Sequence, residues 1–210
     1  VATDLYEELR NAILTGRYTA GQVLSENALA AEFGKSRTPV REALHRLEIE
    51  SLVERSPRGV RVRDTSPEEI LDIYEVRITL EGTAAKAAAQ RATEFDLTQL
   101  RSALQAMIDA DDTAEAKAAT NRRFHEAVWT ASHNSTLVDL LHRLNVHLVR
   151  YPSTTLTYGE RWDAVLREHE ELLAAIEARD GEAARRIAEH HMFGAREVRL
   201  RMYADGDRRN

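Results

Sequence analysis

Three of the eight histidines in this 210-residue chain fall on helix faces that periodicity assigns to the interior, and they are the residues best placed to do chemistry. His169 sits in the middle of the apolar stripe Trp162, Val165, Leu166, Leu172, Leu173, Ile176, and His191 is in phase with Ala184, Ile187, Ala188, Ala195, Val198, Met202. The turn between these two segments is Asp180-Gly181, with Asp180 11 residues beyond His169 and 11 before His191. In an antiparallel helical hairpin, equal distances from the turn put two residues at one height. A third histidine, His125, lies on a face with Ala118, Asn121 and Val128 at i, i+3, i+4 spacing. A lone histidine on such a stripe is ordinarily a core residue with a satisfied ring. Three together present three buried lone pairs, and one divalent cation satisfies all of them. Imidazole suits zinc, nickel and manganese alike. His190 falls off the stripe, and His45, His133, His142 and His147 read as surface or packing residues.

A three-histidine metal with an open position has two chemical uses: activating water for hydrolysis or hydration, or holding an anion. Catalysis wants a general base beside the water. Glu126 and Glu168 are the available carboxylates, and both fall off the inward stripes, Glu168 reading as a supporting or surface group. Anion binding is the better expectation and an enzyme the alternative. A purely structural metal in a bundle that only dimerises is the third reading.

The elements that must position these residues are helices. Punctuation and period predict six of them, roughly over 67–90, 94–110, 113–132, 135–150, 159–179 and 182–204. Ser66 can cap the first of these, whose opening turn holds Pro67, Glu68 and Glu69. Its alanines (Ala84, Ala85, Ala87, Ala88, Ala89) favour helix and close packing. The expected organisation is a first domain over 1–64, a linker over 65–68, an all-α bundle over 69–204 and a tail over 205–210.

Residues 24–63 have a different character. A helix over Ser25–Phe33 ends at Gly34, and a second opens at Lys35-Ser36-Arg37-Thr38-Pro39-Val40-Arg41, with Ser36 or Thr38 available as cap. Leu52–Arg55 and Val60–Arg63 read as short strands joined by Ser56-Pro57-Arg58-Gly59. Capped helix, glycine turn, arginine-rich helix start and basic hairpin, in that order, describe a winged helix-turn-helix whose second helix enters the major groove of duplex DNA. A small helical domain with a solvated basic face is the blander alternative. An earlier helix begins near Asp4, with Leu5, Leu9, Ile13 and Leu14 on one face, so the sequence opens already helical, as expected if residues precede it.

Charge agrees locally. The chain carries a net charge of −6, yet residues 34–63 hold eight basic side chains against four acidic ones. One basic face on an acidic molecule suits a site-specific binder with modest affinity for random DNA. Cysteine is absent, which excludes disulfides and thiolate metal sites and fits a cytoplasmic protein. No signal peptide is expected, and no apolar run reaches the ~20 residues a membrane span needs.

Two motifs carry a family resemblance. Gly21-Gln22-Val23-Leu24-Ser25-Glu26 with Phe33-Gly34-Lys35-Ser36-Arg37-Thr38-Pro39-Val40-Arg41-Glu42-Ala43-Leu44 resembles the DNA-binding head of the GntR family of bacterial repressors. Arg77 with Glu81, Asn121-Arg122-Arg123-Phe124-His125, Glu168-His169 and His191 resemble the FCD effector domain of its FadR subfamily, and six helices point to the VanR-like branch. The resemblance implies a mainly α protein, a winged helix-turn-helix followed by an FCD-like six-helix bundle. It implies a homodimer on a palindromic operator, with Ser36, Arg37, Thr38 and Arg41 contacting DNA from the recognition helix and Arg58 with Gly59 at the wing tip. Asn27 stands where some relatives have arginine. It further implies a divalent metal on Asn121, His125, His169 and His191, with Asn121 in place of the family's acid. A neutral ligand set leaves the ion's positive charge uncompensated and attracts an anion. The expected effector is therefore a small organic acid, clamped by Arg77 and, by position, Arg150.

Overall fold

The computed structural model describes residues 4–57, 59–149 and 154–207. They form two compact units, one of residues 4–66 with the end of the fourth bundle helix from Asn145, the other the rest of the chain from Pro67. The expected division ran through 65–68 and left that helix end with the bundle. Periodicity gives a helix its faces; it does not say which unit each end joins.

In the first unit, α1 (Leu5–Leu14) is capped by the Asp4 carboxylate, which accepts from the Tyr6 amide, and it buries Leu5, Leu9 and Ile13. There follow β1 (Val23–Leu24), α2 (Glu26–Phe33), α3 (Arg37–Ile49), β2 (Val53–Ser56) and β3 (Gly59–Val62). Gly34 ends α2 in the left-handed conformation, φ 60° and ψ 35°, as a side-chain-free residue can. Ser36 stands at the N-cap of α3 but its hydroxyl makes no capping bond, contrary to expectation. Its backbone is extended, and that suffices to start the helix.

The strands form a sheet of order β1-β3-β2. β2 and β3 are the predicted hairpin, each about one residue displaced, with Ser56 opposite Gly59. β1 was not expected: its two residues pair antiparallel to β3, Val23 with Arg61 and Leu24 with Val60. Two residues are too few for alternation to register. Leu9, Val40, Leu47 and Leu52 are fully enclosed at the centre of this unit.

The second unit contains α4 (Pro67–Arg91), α5 (Glu94–Ile108), α6 (Ala114–Ala131), α7 (Ser135–Val149), α8 (Arg161–Glu177) and α9 (Gly181–Asp207), with an unforeseen 3-10 turn over Thr155–Thr157. Thr93 and Asp96 close a reciprocal capping box on α5. Thr113 caps α6 through the Ala116 amide. The Asp180 carboxylate accepts from the Ala183 amide at 2.9 Å, so the α8–α9 turn that sets two histidines level is locally held. Small residues let α4 and α9 approach closely: a Cβ on Gly82 would fall 2.6 Å from Glu189 Cγ. Leu100, Met107, Phe124, Trp129, Leu141, Val165 and Ile176 fill the interior.

One helix supplies a matched test. Leu100 is wholly buried while Phe95, on the same α5, is 71% exposed. Leu100→Ala should cost about 2–5 kcal/mol in urea unfolding, and Phe95→Ala should stay within about 0.5 kcal/mol of the parent.

Candidate metal centre and DNA-reading surface

The three stripe histidines meet. α6 delivers His125, α8 His169 and α9 His191, and all three are buried. Their ring centroids lie 5.1 Å (His125–His169), 5.1 Å (His125–His191) and 4.6 Å (His169–His191) apart. One nitrogen from each ring lies within 4.8 Å of the other two. Phe124 stacks on His169 with centroids 4.3 Å apart.

Each Nδ1 already has a partner. That of His125 lies 3.3 Å from Glu81 Oε2, that of His191 2.6 Å from Glu168 Oε2, and that of His169 3.2 Å from Met107 Sδ. A neutral imidazole that donates from Nδ1 keeps its lone pair on Nε2. Among the described residues, Nε2 of His169 is buried and without a hydrogen-bond partner, and so is Oδ1 of Asn121, one turn before His125. Unpaired buried acceptors normally cost about 1–3 kcal/mol each. A divalent cation would satisfy both, so this set of donors fits a metal by its chemistry.

The carboxylates behind the rings are themselves tied. Glu81 Oε1 accepts Nε (2.9 Å) and Nη2 (2.8 Å) of Arg77, and Glu81 Oε2 also accepts the Trp129 indole N–H at 2.7 Å. Glu168 Oε1 accepts Arg161 Nη1 at 2.6 Å, while Arg161 Nη2 donates 3.0 Å to the His191 carbonyl. Burial pushes Glu81 up, but His125 and Arg77 outweigh it and hold the carboxyl at about 2. Glu168 is also held at about 2, because the hydrogen bonds from His191 and Arg161 overcome its partial burial. Burial is the main influence on the rings. It drives His169 well below the usual imidazole range, and it lowers His191 to about 4 against the opposing pull of Glu168.

Several expectations change. Arg77 is not a free clamp: two donors of its guanidinium are engaged by Glu81, four residues on in the same helix. Arg150 lies outside the described residues. Glu168 is off the stripe yet turns inward far enough to orient His191, whereas Glu126 is half-buried with Arg122 4.0 Å away. The supporting roles of Met107 and Arg161 left no trace in the periodicity. The Arg77/Glu81 pair did, as two charges i, i+4 on an alanine-rich helix.

In the first unit, Ser36, Arg37, Thr38 and Arg41 are exposed together at the start of α3. Arg37 and Arg41 both reach Glu26 of α2. Gly59 is exposed at the start of β3 with φ 127°, a conformation that favours glycine, and Arg58 lies outside the described residues.

Comparison with known proteins decides the lineage. Residues 1–62 match the model of bacterial regulatory proteins of the gntR family and residues 72–194 that of the FCD domain. The chain belongs to the GntR family, in its FCD-containing branch. It is 32% identical to the galactonate operon transcriptional repressor of Escherichia coli (strain K12) over 86% of this chain and 88% of that one. It is 31% identical to the HTH-type transcriptional regulator YdhC of Bacillus subtilis (strain 168), over 86% and 82%. Among solved structures, a GntR regulator from Rhodococcus sp. RHA1 superposes with a TM-score of 0.71 at 26% identity, covering 94% and 96%. McbR/YncC of E. coli shares the fold, with a TM-score of 0.77 at 24% identity, covering 95% and 96%. This GntR protein is a transcription regulator, and the enzyme alternative falls with that membership.

The buried rings predict a pH response. Unfolded imidazoles titrate near 6.5, while folded His191 waits until about 4 and His169 also lies far below 6.5. Between those values the unfolded chain binds more protons, so stability should fall as pH drops from 6.5 toward 4. Glu81 and Glu168 stabilise the fold above their unfolded value of 4.5, and their contribution is lost only as pH falls through about 2. Urea midpoints of chelator-treated protein across pH 4–7 measure this. A flat profile between 6.5 and 4 would contradict the buried, neutral assignment.

Proposed function

We propose that this GntR regulator is a repressor that senses a small organic acid at a metal-bearing centre in its FCD bundle and binds a palindromic operator as a cytoplasmic homodimer. The observation that carries the sensor is the convergence of His125, His169 and His191 with buried, unpaired acceptors on His169 and Asn121. Those four residues would hold a divalent ion of the zinc, nickel or manganese class. When bound, such an ion supplies positive charge in a low-dielectric site, where a carboxylate oxygen is the fitting partner.

The chain's own residues do the rest. Glu81 and Glu168 fix the tautomers of His125 and His191, and Arg77 and Arg161 hold those carboxylates in place. Arg77 thus contributes through Glu81 to the shape and charge of the site. The galactonate relative and the gluconate operon transcriptional repressor of Bacillus subtilis (strain 168) are named for operons of sugar acids, which supports a hydroxylated carboxylate as effector class. α4 carries Arg77 and Glu81 and begins at Pro67, directly after the head in the chain. A change at the site can therefore bias the head, with couplings typically of about 1–3 kcal/mol. Exposed Ser36 at the N-cap of α3 and Arg37, Thr38 and Arg41 within it, joined by Gly59 and, by its place in the sequence, Arg58, would form the DNA-reading set.

Calorimetric titration of gluconate into zinc-loaded and chelator-treated protein tests the sensor, with glucose as the uncharged control. Binding to the loaded form should be at least about tenfold tighter, a difference of about 1.4 kcal/mol or more. Equal affinity in both forms rejects the metal-assisted site.

A further inference from the structure

Glu26 occupies the first position of α2, and its two oxygens are shared between Arg37 and Arg41, the two arginines in the N-terminal half of the recognition helix. Oε1 accepts Nε of Arg41 at 3.2 Å; Oε2 accepts Nη2 of Arg41 at 3.0 Å and Nη2 of Arg37 at 3.2 Å. The arginine side chains are 61% and 64% exposed and Glu26 only 29%, so the carboxylate lies beneath two otherwise solvated cations. On Arg41 it takes Nε and Nη2 together. That two-donor edge is also the one an arginine offers to a phosphate or to O6 and N7 of guanine. The wing follows suit: Arg55 donates through Nε and Nη2 to the two oxygens of Glu48, and Arg61 pairs with Glu54. Hydrogen bonds from Arg41 and Arg37 hold the Glu26 carboxyl below its usual range.

Resting on the DNA-binding reading above, we infer that Glu26 is a specificity-determining placeholder, a carboxylate that occupies the DNA-reading edges of Arg37 and Arg41 and must be displaced by any duplex. Random DNA is bound through phosphate charge and the release of counterions. Against Glu26 a phosphate merely replaces one anion by another and meets the displaced carboxylate nearby. A cognate base edge adds hydrogen bonds that the carboxylate-for-phosphate exchange cannot supply. Glu26 therefore weakens non-cognate binding more than cognate binding, and it does so without touching a base. The even balance of ten basic and ten acidic residues across 1–64 is consistent with affinity held down by such pairs.

Fluorescence anisotropy on the full chain tests this with two duplexes of equal length: one recovered by the unaltered protein from a random pool, one of scrambled sequence. Glu26→Gln keeps shape and an acceptor but removes the charge. It should tighten binding to the scrambled duplex roughly three- to tenfold, with a steeper salt slope by about 0.9 per extra phosphate neutralised between roughly 50 and 300 mM KCl. Binding to the selected duplex should gain less, so the specificity ratio falls. Glu32→Gln removes the same charge from the same helix, where it pairs with Arg17, and should leave the ratio unchanged. An unchanged or higher ratio in Glu26→Gln overturns the inference, and so does an equal effect in Glu32→Gln. Arg41→Ala separates the two levels. Loss of the selected duplex in that variant upholds the DNA-reading role of α3, and retention of parental binding to both duplexes defeats that reading itself.

Discussion

Everything in the bundle depends on three imidazoles kept out of water with one nitrogen each already committed. An isolated histidine can be buried neutral by finding one donor or acceptor. Here the Nδ1 atoms are held by Glu81, Glu168 and Met107, and among the described residues Nε2 of His169 is left buried with no hydrogen-bond partner. Burial also suppresses protonation of His169 and His191, so protons compete poorly for the same lone pairs. Helix lengths, the α8–α9 turn and the close α4–α9 contact at Gly82 all serve to hold that geometry.

Negative charge is arranged one layer out from where the family's acidic ligand would put it. Asn121, one turn before His125, carries a neutral buried oxygen, while two ionised carboxylates stand behind His125 and His191, each neutralised in turn by an arginine. Electron density would thus reach an ion held by the three rings through hydrogen bonds, without an anion in direct contact. An ion held by such a centre would be bound less tightly through charge and would leave more attraction for an incoming acid. The same chain of contacts explains why Arg77 and Arg161 are buried at all: a buried guanidinium needs a carboxylate, and these carboxylates need something to balance them.

The head uses the same pairing at its surface, with a different consequence. Exposed ion pairs contribute little to folding, commonly about 0–1 kcal/mol, so the Glu26, Glu48 and Glu54 contacts are poor candidates for stability. They do set the electrostatic starting point for any approaching polyanion, because the arginines of α3 and the wing strands are already occupied. Deep in the bundle, a carboxylate–arginine pair fixes orientation; on the reading surface it tempers attraction.

Much of this was legible in the residues alone. Helix period, caps and breaks located α4 to α9 within a few positions, Gly34 marked the turn of the head, and the equal spacing of His169 and His191 about Asp180 placed both rings at one height. The GntR and FCD motifs supplied the lineage. Periodicity could do this because a helix face and a turn are local properties, set by residues three to four apart. Partners across the fold are not local. That Glu168 swings to His191 23 residues away, that Met107 supports His169 across 62, and that Glu26 reaches Arg41 across 15 are outcomes of packing. The two-residue β1 and the silent Ser36 cap belong with them. A charge pattern states what a side chain can bind, and only the assembled neighbours determine which of the available groups it meets.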